Sequence, residues 1–106
     1  MDFTNLRLLS EGDKVFEKEI IATAIIYLPE VMLALLQAIK NMDFVSIKAI
    51  AHTLKSSFFI VGIKDESILN KLEEIEDFKI LENLYFNLEN IMQESLESLK
   101  IELINL

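Results

Sequence analysis

The stretch IKAIAHTLKSSFFIV, residues 47 to 61, decides more about this protein than any other part of its sequence. At about 100° per residue, its apolar side chains form one helical stripe within about 40° of a mean direction. The stripe consists of Ile47, Ala51, Leu54, Phe58 and Val61. His52, the single histidine of the chain, lies about 140° from this stripe. The pattern therefore predicts a helix whose apolar face meets a core and whose imidazole faces water.

The predicted surroundings of His52 suit a phosphoacceptor. Lys48, Lys55, Ser56 and Phe59 fall on the same side of the helix. A free imidazole has a pKa of about 6.5, so the neutral ring offers a lone pair at cell pH. Two nearby ammonium groups disfavour the imidazolium and attract phosphoryl oxygens. We expect the Ser56 hydroxyl to bond back to the His52 carbonyl rather than to a phosphoryl oxygen.

The rest of the chain predicts an all-α fold. With 106 residues, 52% of them hydrophobic, two Gly and one Pro, there is little material for the many turns of a β protein. Aspartates placed before apolar runs act as helix N-caps. The predicted helices cover residues 1–10, 14–40 after Asp13, 44–61 after Asp43, 66–76 after Asp65 and 79–104 after Asp77. Short connections favour one domain over residues 1–106, an antiparallel (up-down-up-down) four-helix bundle with a short extra N-terminal helix.

The second predicted helix is apolar enough to be weighed as a membrane span. Residues 20–39 have the length to cross a bilayer. Pro29 and Glu30 lie at the centre of this segment, where a carboxylate costs roughly 2.5–3.5 kcal/mol. A long helix buried on more than one side is therefore the better interpretation. Pro29 predicts a kink or break over residues 25–29. Its helical pattern consists of three- and four-residue steps through Phe16, Ile20, Ala24, Tyr27, Val31 and Leu35.

Composition lowers the expectation of several other functions. A formal net charge of −8 repels a phosphate backbone, which disfavours nucleic-acid binding. One histidine and no cysteine make a metal site unexpected. There is no glycine-rich phosphate loop for ATP and no visible Ser–His–acid arrangement, so we expect no kinase or hydrolase activity of its own.

The segment AHTLKSSFFIVGI, residues 51–63, resembles the signature of histidine-containing phosphotransfer (HPt) domains, His-x-Leu-Lys-Gly-Ser followed five residues later by Gly. His52, Leu54, Lys55, Ser57 and Gly62 match in residue type and spacing. The layout of the whole chain is also similar, from LSEGD before a long helix to the loop that ends before the histidine helix. One position departs from the pattern, because Ser56 stands where the family usually has glycine to clear space for a docking partner.

The resemblance implies a phosphoryl carrier in a two-component multistep phosphorelay. His52 would accept the group through Nε2 from a receiver-domain aspartate of a hybrid histidine kinase and pass it to a response-regulator aspartate. Lys55 and Lys48 would stabilise the phosphate, with magnesium held by the receiver and no cofactor in this domain. The implied setting is cytoplasmic, without membrane insertion.

The remaining positions of the motif have interpretations that need no chemistry. Ser56, Phe59 and Ile60 are candidates for a docking surface, although Phe59 and Ile60 fit burial against the first helix or a loop equally well. Leu54 and Ser57 are predicted to pack in or beside the core, and Gly62 to end the helix.

Two other classes of function stay open from sequence. Ser56 is consistent with a degenerate bundle that binds a receiver or kinase without carrying phosphate. The apolar residues 20–39 are consistent with a membrane-associated or self-associating helical protein.

Overall fold

The computed structural model describes residues 1–106 and contains helices and no strands. Five α-helices and one 3₁₀ turn follow one another with short connections. They are α1 (Thr4–Ser10), α2 (Lys14–Lys40), α3 (Phe44–Val61), α4 (Ser67–Glu73), the 3₁₀ turn Phe78–Ile80 and α5 (Leu81–Asn105). α2 packs against α3 and α5, α4 packs against α3 and α5, and α1 lies across α2 and α3. The prediction of an all-α protein is confirmed.

The ends of α2 and α3 are set by local signals that the sequence displays. The Asp13 carboxylate accepts hydrogen bonds from two orphan amides in the first turn of α2. Asp43 accepts from the amide of Ser46 at 3.1 Å and from its hydroxyl at 2.6 Å, which caps α3. α3 ends at Gly62, whose φ of 82° is left-handed and suits glycine. These predicted boundaries are confirmed.

The fourth helix and the start of the fifth differ from the prediction. α4 has seven residues rather than eleven, and its N-cap is Glu66 without a side-chain hydrogen bond, so Asp65 is not the cap. Asp77 does cap, but it caps the 3₁₀ turn that precedes α5. The reason is tertiary, because the Phe78 ring stacks on Phe44 at 4.0 Å between centroids. Placing Phe78 against the start of α3 draws the chain out of helix after residue 73.

The core is one contiguous apolar cluster to which every helix contributes. On α3 the buried residues are Ile47, Ala51, Leu54, Phe58 and Val61, so the predicted stripe is confirmed in full. On α2 the buried residues are Glu17, Ile21, Leu28, Met32, Leu35 and Ala38. Along the three- and four-residue steps of this helix, Leu35 is buried, Ile20, Ala24 and Val31 are partly buried against the core, and Phe16 is exposed.

Pro29 does not interrupt α2, which runs from Lys14 to Lys40 without the predicted break. A proline removes only one backbone donor, and the ring of Pro29 is exposed, away from the core. By length and composition alone, both α2 and α3 are apolar enough to cross a membrane, a property that core helices of water-soluble proteins share.

Candidate functional site

His52 projects from the outer face of α3, as the helical pattern predicts. Its side chain is 82% exposed. The flanking residues Ala51 and Leu54 are fully buried, so they fix the rotation of α3 against the core. Because successive residues of a helix are about 100° apart, burying these two residues holds His52 on the outside. The imidazole is therefore accessible to a partner protein.

The sequence did not predict the closest charged neighbour of the imidazole, Glu73 at the end of α4. Its Oε1 lies 3.3 Å from Nδ1 of His52 and 3.2 Å from Nζ of Lys55. This oxygen is shielded from solvent, and neither contact is aligned as a hydrogen bond. The three side chains therefore form a compact cluster, with Glu73 between the imidazole and the Lys55 ammonium.

The charges in this cluster affect one another. The Lys55 ammonium, with a smaller contribution from His52, lowers the pKa of the Glu73 carboxyl below its usual 4.5 despite partial burial. Glu73 is therefore an anion at neutral pH. A carboxylate next to Nδ1 favours the tautomer that carries its proton on Nδ1. In that tautomer the free lone pair of the ring lies on Nε2.

Lys55 and Lys48 differ in what they touch. Lys55 is one turn after His52, half-buried, and held by Glu73. Lys48 is one turn before His52 and takes part in no ion pair of the chain. Both cations lie on the predicted side of α3, but only Lys55 joins the cluster.

Ser56 is exposed, and its hydroxyl makes no hydrogen bond within the chain, so the expected bond to the His52 carbonyl is wrong. The bond of this type on α3 is made by Thr53, whose hydroxyl donates to the Ala49 carbonyl at 3.0 Å. The Ser56 hydroxyl is thus exposed and without a partner inside the chain.

Phe59 and Ile60 do not form one patch. Phe59 is 58% exposed, near α1, where its carbonyl accepts a hydrogen bond from the side-chain amide of Asn5 at 3.0 Å. Ile60 is partly buried against the core, so its use as an exposed docking residue is not supported. Together with Ser57 and Tyr27, Ile60 lines a groove of about 170 Å³ between α2 and α3.

Gly62 does more than end α3. The N–H of Asp2 donates to the Gly62 carbonyl at 3.1 Å, and a Cβ on Gly62 would lie 1.6 Å from the Asp2 carbonyl oxygen. The N-terminal segment therefore rests on the bare backbone of this glycine. The sequence predicted the terminator but contained no signal for the second contact.

Nothing in the chain gathers three or more histidine or carboxylate side chains as a metal site would require. The chain matches no protein-family model, no curated protein and no solved structure. What can be inferred about function therefore rests on the motif and on the geometry around His52.

Proposed function

We propose that this protein carries a phosphoryl group on His52 between receiver domains. The observation that carries the proposal is an exposed imidazole whose Nδ1 faces the Glu73 carboxylate, so that Nε2 points outward with its lone pair. The HPt-like spacing of His52, Lys55, Ser57 and Gly62 supports the same conclusion independently. The domain is a carrier in this proposal, with no kinase activity and no ATP site.

The proposed transfer is an in-line displacement on an aspartyl phosphate of the partner. Nε2 attacks phosphorus, the bond between phosphorus and the aspartate oxygen breaks, and the carboxylate leaves with the electron pair. The Nδ1 proton stays on the ring, beside Glu73. Because the transition state is loose, positioning and charge neutralisation supply most of the catalysis. Magnesium and the acidic pocket would come from the receiver.

Lys55 is the cation best placed to meet the incoming phosphoryl oxygens, because it lies one turn from His52 on the same face. Its contact with Glu73 keeps it there before a partner arrives. Once a phosphoryl group is on Nε2, its negative charge competes with Glu73 for the ammonium. We therefore assign Glu73 two roles: it orients the imidazole ring, and it holds the Lys55 ammonium near His52 until a phosphoryl group is present. Lys48 contributes charge without such an anchor.

The proposed architecture is an antiparallel four-helix bundle built from α2, α3, α4 and α5, with α1 as the added helix. The contacts between helices support it, since α2 does not touch α4 and α3 lies against both. We propose cytoplasmic receiver domains as the partners. The carboxylate of Glu30 in the middle of α2 supports an aqueous setting over membrane insertion.

The test is incubation with phosphorylated receiver domains and magnesium, followed by detection of acid-labile, base-stable phosphate on this chain. Because the chain has one histidine, a His52→Gln variant shows whether this phosphate is on the imidazole. We expect His52→Gln to abolish uptake while leaving the circular dichroism spectrum unchanged. Normal uptake by His52→Gln, or no uptake by the parent protein from any receiver of its organism, would overturn the proposal. If the parent binds receivers without taking up phosphate, the degenerate-bundle alternative replaces it.

Two further variants distinguish a specific role of the His52–Lys55–Glu73 cluster from an effect of positive charge near His52. We expect Lys55→Ala and Glu73→Gln each to slow uptake about tenfold or more, since each removes a positioning contact. Lys48→Ala is the matched control, because it removes the same charge from the same face without touching the cluster. Equal slowing by Lys48→Ala and Lys55→Ala would show that only net charge matters.

A further inference from the structure

An apolar seam runs along the outer face of α2, on the side away from the core. It is formed by residues spaced four and three apart, namely Ala22, Ile26, Pro29, Leu33 and Leu36. Ile26 is 66% exposed and Leu33 is 59% exposed. Alternating steps of four and three are the spacing that packs one helix against another in coiled coils. A helix of 27 residues is about 40 Å long, so the seam is long enough for a specific interface.

Charged residues continue this seam at both ends. Glu19 lies seven residues before Ile26, and Lys40 lies seven residues after Leu33. Both are exposed and neither forms an ion pair within the chain. The order along one face is therefore acid, apolar, apolar, base, at equal intervals of two helical turns.

This order is complementary to itself when reversed. Suppose that two α2 helices pack antiparallel, with Ile26 of one copy on Leu33 of the other. Glu19 of each copy then lies level with Lys40 of the other copy, which gives two equivalent pairs of opposite charge. A parallel pairing would place Glu19 on Glu19 and Lys40 on Lys40, which is repulsive. Symmetric pairs of this kind use one patch on both subunits. The charges therefore select the antiparallel orientation.

We propose that the outer face of α2 is the interface of an antiparallel homodimer whose two-fold axis passes between Pro29 and Glu30. The occupant of the seam is a second copy of this chain. Glu30 lies beside the axis and opposes its own counterpart, so the dimer is weaker than the apolar seam alone would make it. This interface leaves the candidate site free, because His52 contacts α4 and α4 does not touch α2.

Other occupants fit the seam less well. A membrane surface would have to accept Glu19 and Glu30, and the net charge of −8 opposes binding to anionic lipid. A receiver that engages His52 would approach the outer face of α3 rather than this side of α2.

The first experiment is sedimentation velocity of the full chain over a range of concentrations in detergent-free buffer. We expect a reversible monomer–dimer equilibrium that the double variant Ile26→Ser, Leu33→Ser converts to monomer. Ile104→Ser, at an 82% exposed apolar residue on α5, is the control and leaves the dimer intact. A monomer at every concentration, or a dimer that the double variant does not weaken, would overturn the proposal. So would a chain that is monomeric in buffer and binds phospholipid vesicles.

The second experiment tests orientation by charge reversal. We expect Glu19→Lys and Lys40→Glu each to raise the dimer Kd about tenfold, because each reverses two symmetric pairs, and the double reversal to restore it. Glu30→Gln lowers the Kd by removing the repulsion at the axis. Failure of the double reversal to rescue the dimer contradicts the antiparallel pairing.

The third experiment uses the absence of cysteine in the chain. In the antiparallel dimer, Glu30→Cys places two thiols beside the axis, whereas Ala22→Cys places its two backbones about 22 Å apart along the helix. We expect rapid disulfide formation by the first variant and none by the second, and the reverse result would show a parallel pair. Phosphoryl uptake by His52 is measured separately, so neither outcome decides the proposed carrier function.

Discussion

α2 and α3 are two apolar helices of the same domain, and only one of them could be oriented from sequence. α3 interrupts its apolar residues with His52, Lys48 and Lys55, all on one side, so its buried stripe is unambiguous. α2 has apolar residues on every side over residues 20–39. A periodic pattern therefore identifies a buried face only where polar residues mark the opposite one.

The functional consequences of the two helices differ in the same way. α3 has one apolar face, and its outer face is left for the polar cluster at His52. α2 has more apolar surface than the core uses, and the surplus forms the outer seam. Substitutions that compare buried and exposed neighbours on each helix test this contrast directly.

The largest expected effect is the loss of the buried ring of α3. Phe58 is fully buried, so Phe58→Ala should lower the free energy of unfolding by about 3–5 kcal/mol. The neighbouring Phe59→Ala should change it by no more than about 0.5 kcal/mol, since that ring is largely exposed. Urea unfolding followed by circular dichroism measures both. Similar losses would mean that the inner and outer faces of α3 are not distinct.

The next effect compares a buried and an exposed apolar residue of α2. Leu28→Ala should lower the free energy of unfolding by about 2–5 kcal/mol, because Leu28 is buried. Phe16→Ala should lower it by less than about 1 kcal/mol, because Phe16 is exposed. The same urea titration measures both. A larger loss for Phe16→Ala than for Leu28→Ala would contradict the observed rotation of α2.

A smaller effect on stability distinguishes two glycines that have a left-handed backbone conformation. Gly12 and Gly62 have φ values of 81° and 82°, so alanine at either position should cost about 1–2 kcal/mol in backbone strain. Gly62→Ala should cost more, because its Cβ also displaces Asp2, whereas nothing lies within 4 Å of the Gly12 position. Amide exchange should show a deprotected Asp2 N–H only in Gly62→Ala. Equal losses of stability in the two variants, with unchanged amide exchange at Asp2, would contradict the contact between Asp2 and Gly62.

The smallest effect concerns the cap of α3 and depends on pH. Hydrogen bonds from the Ser46 hydroxyl and amide lower the pKa of Asp43 below its usual 3.8. The folded state therefore binds fewer protons at this group than the unfolded state does. The stabilisation that Asp43 gives the folded state is complete above about pH 4. It is lost as the pH falls through the lower pKa that Asp43 has in the folded state.

Asp43→Ala should accordingly lower the melting temperature by a few degrees at neutral pH, with the gap to the parent narrowing below pH 3.8. Asp65→Ala is the control, since Asp65 caps no helix. Thermal scans between neutral and acidic pH measure the gap. A gap that stays constant on acidification would mean that Asp43 acts without its charge.

Much of the fold and half of the candidate site follow from short stretches of sequence. Asp13, Asp43 and Gly62 mark helix ends because capping needs only residues within one turn. The outward direction of His52 follows from the helical repeat of its own segment, with Ala51 and Leu54 on the inside. These features depend on neighbours a few residues away along the chain.

What only the tertiary structure decided lies between distant segments. Glu73 meets His52 and Lys55 because α4 packs beside α3, and no local pattern relates these residues. The rotation of α2 was set by which of its many apolar residues found partners on α3 and α5. A chain encodes its local conformation in adjacent residues, but contacts between segments depend on how all the apolar faces are buried at once.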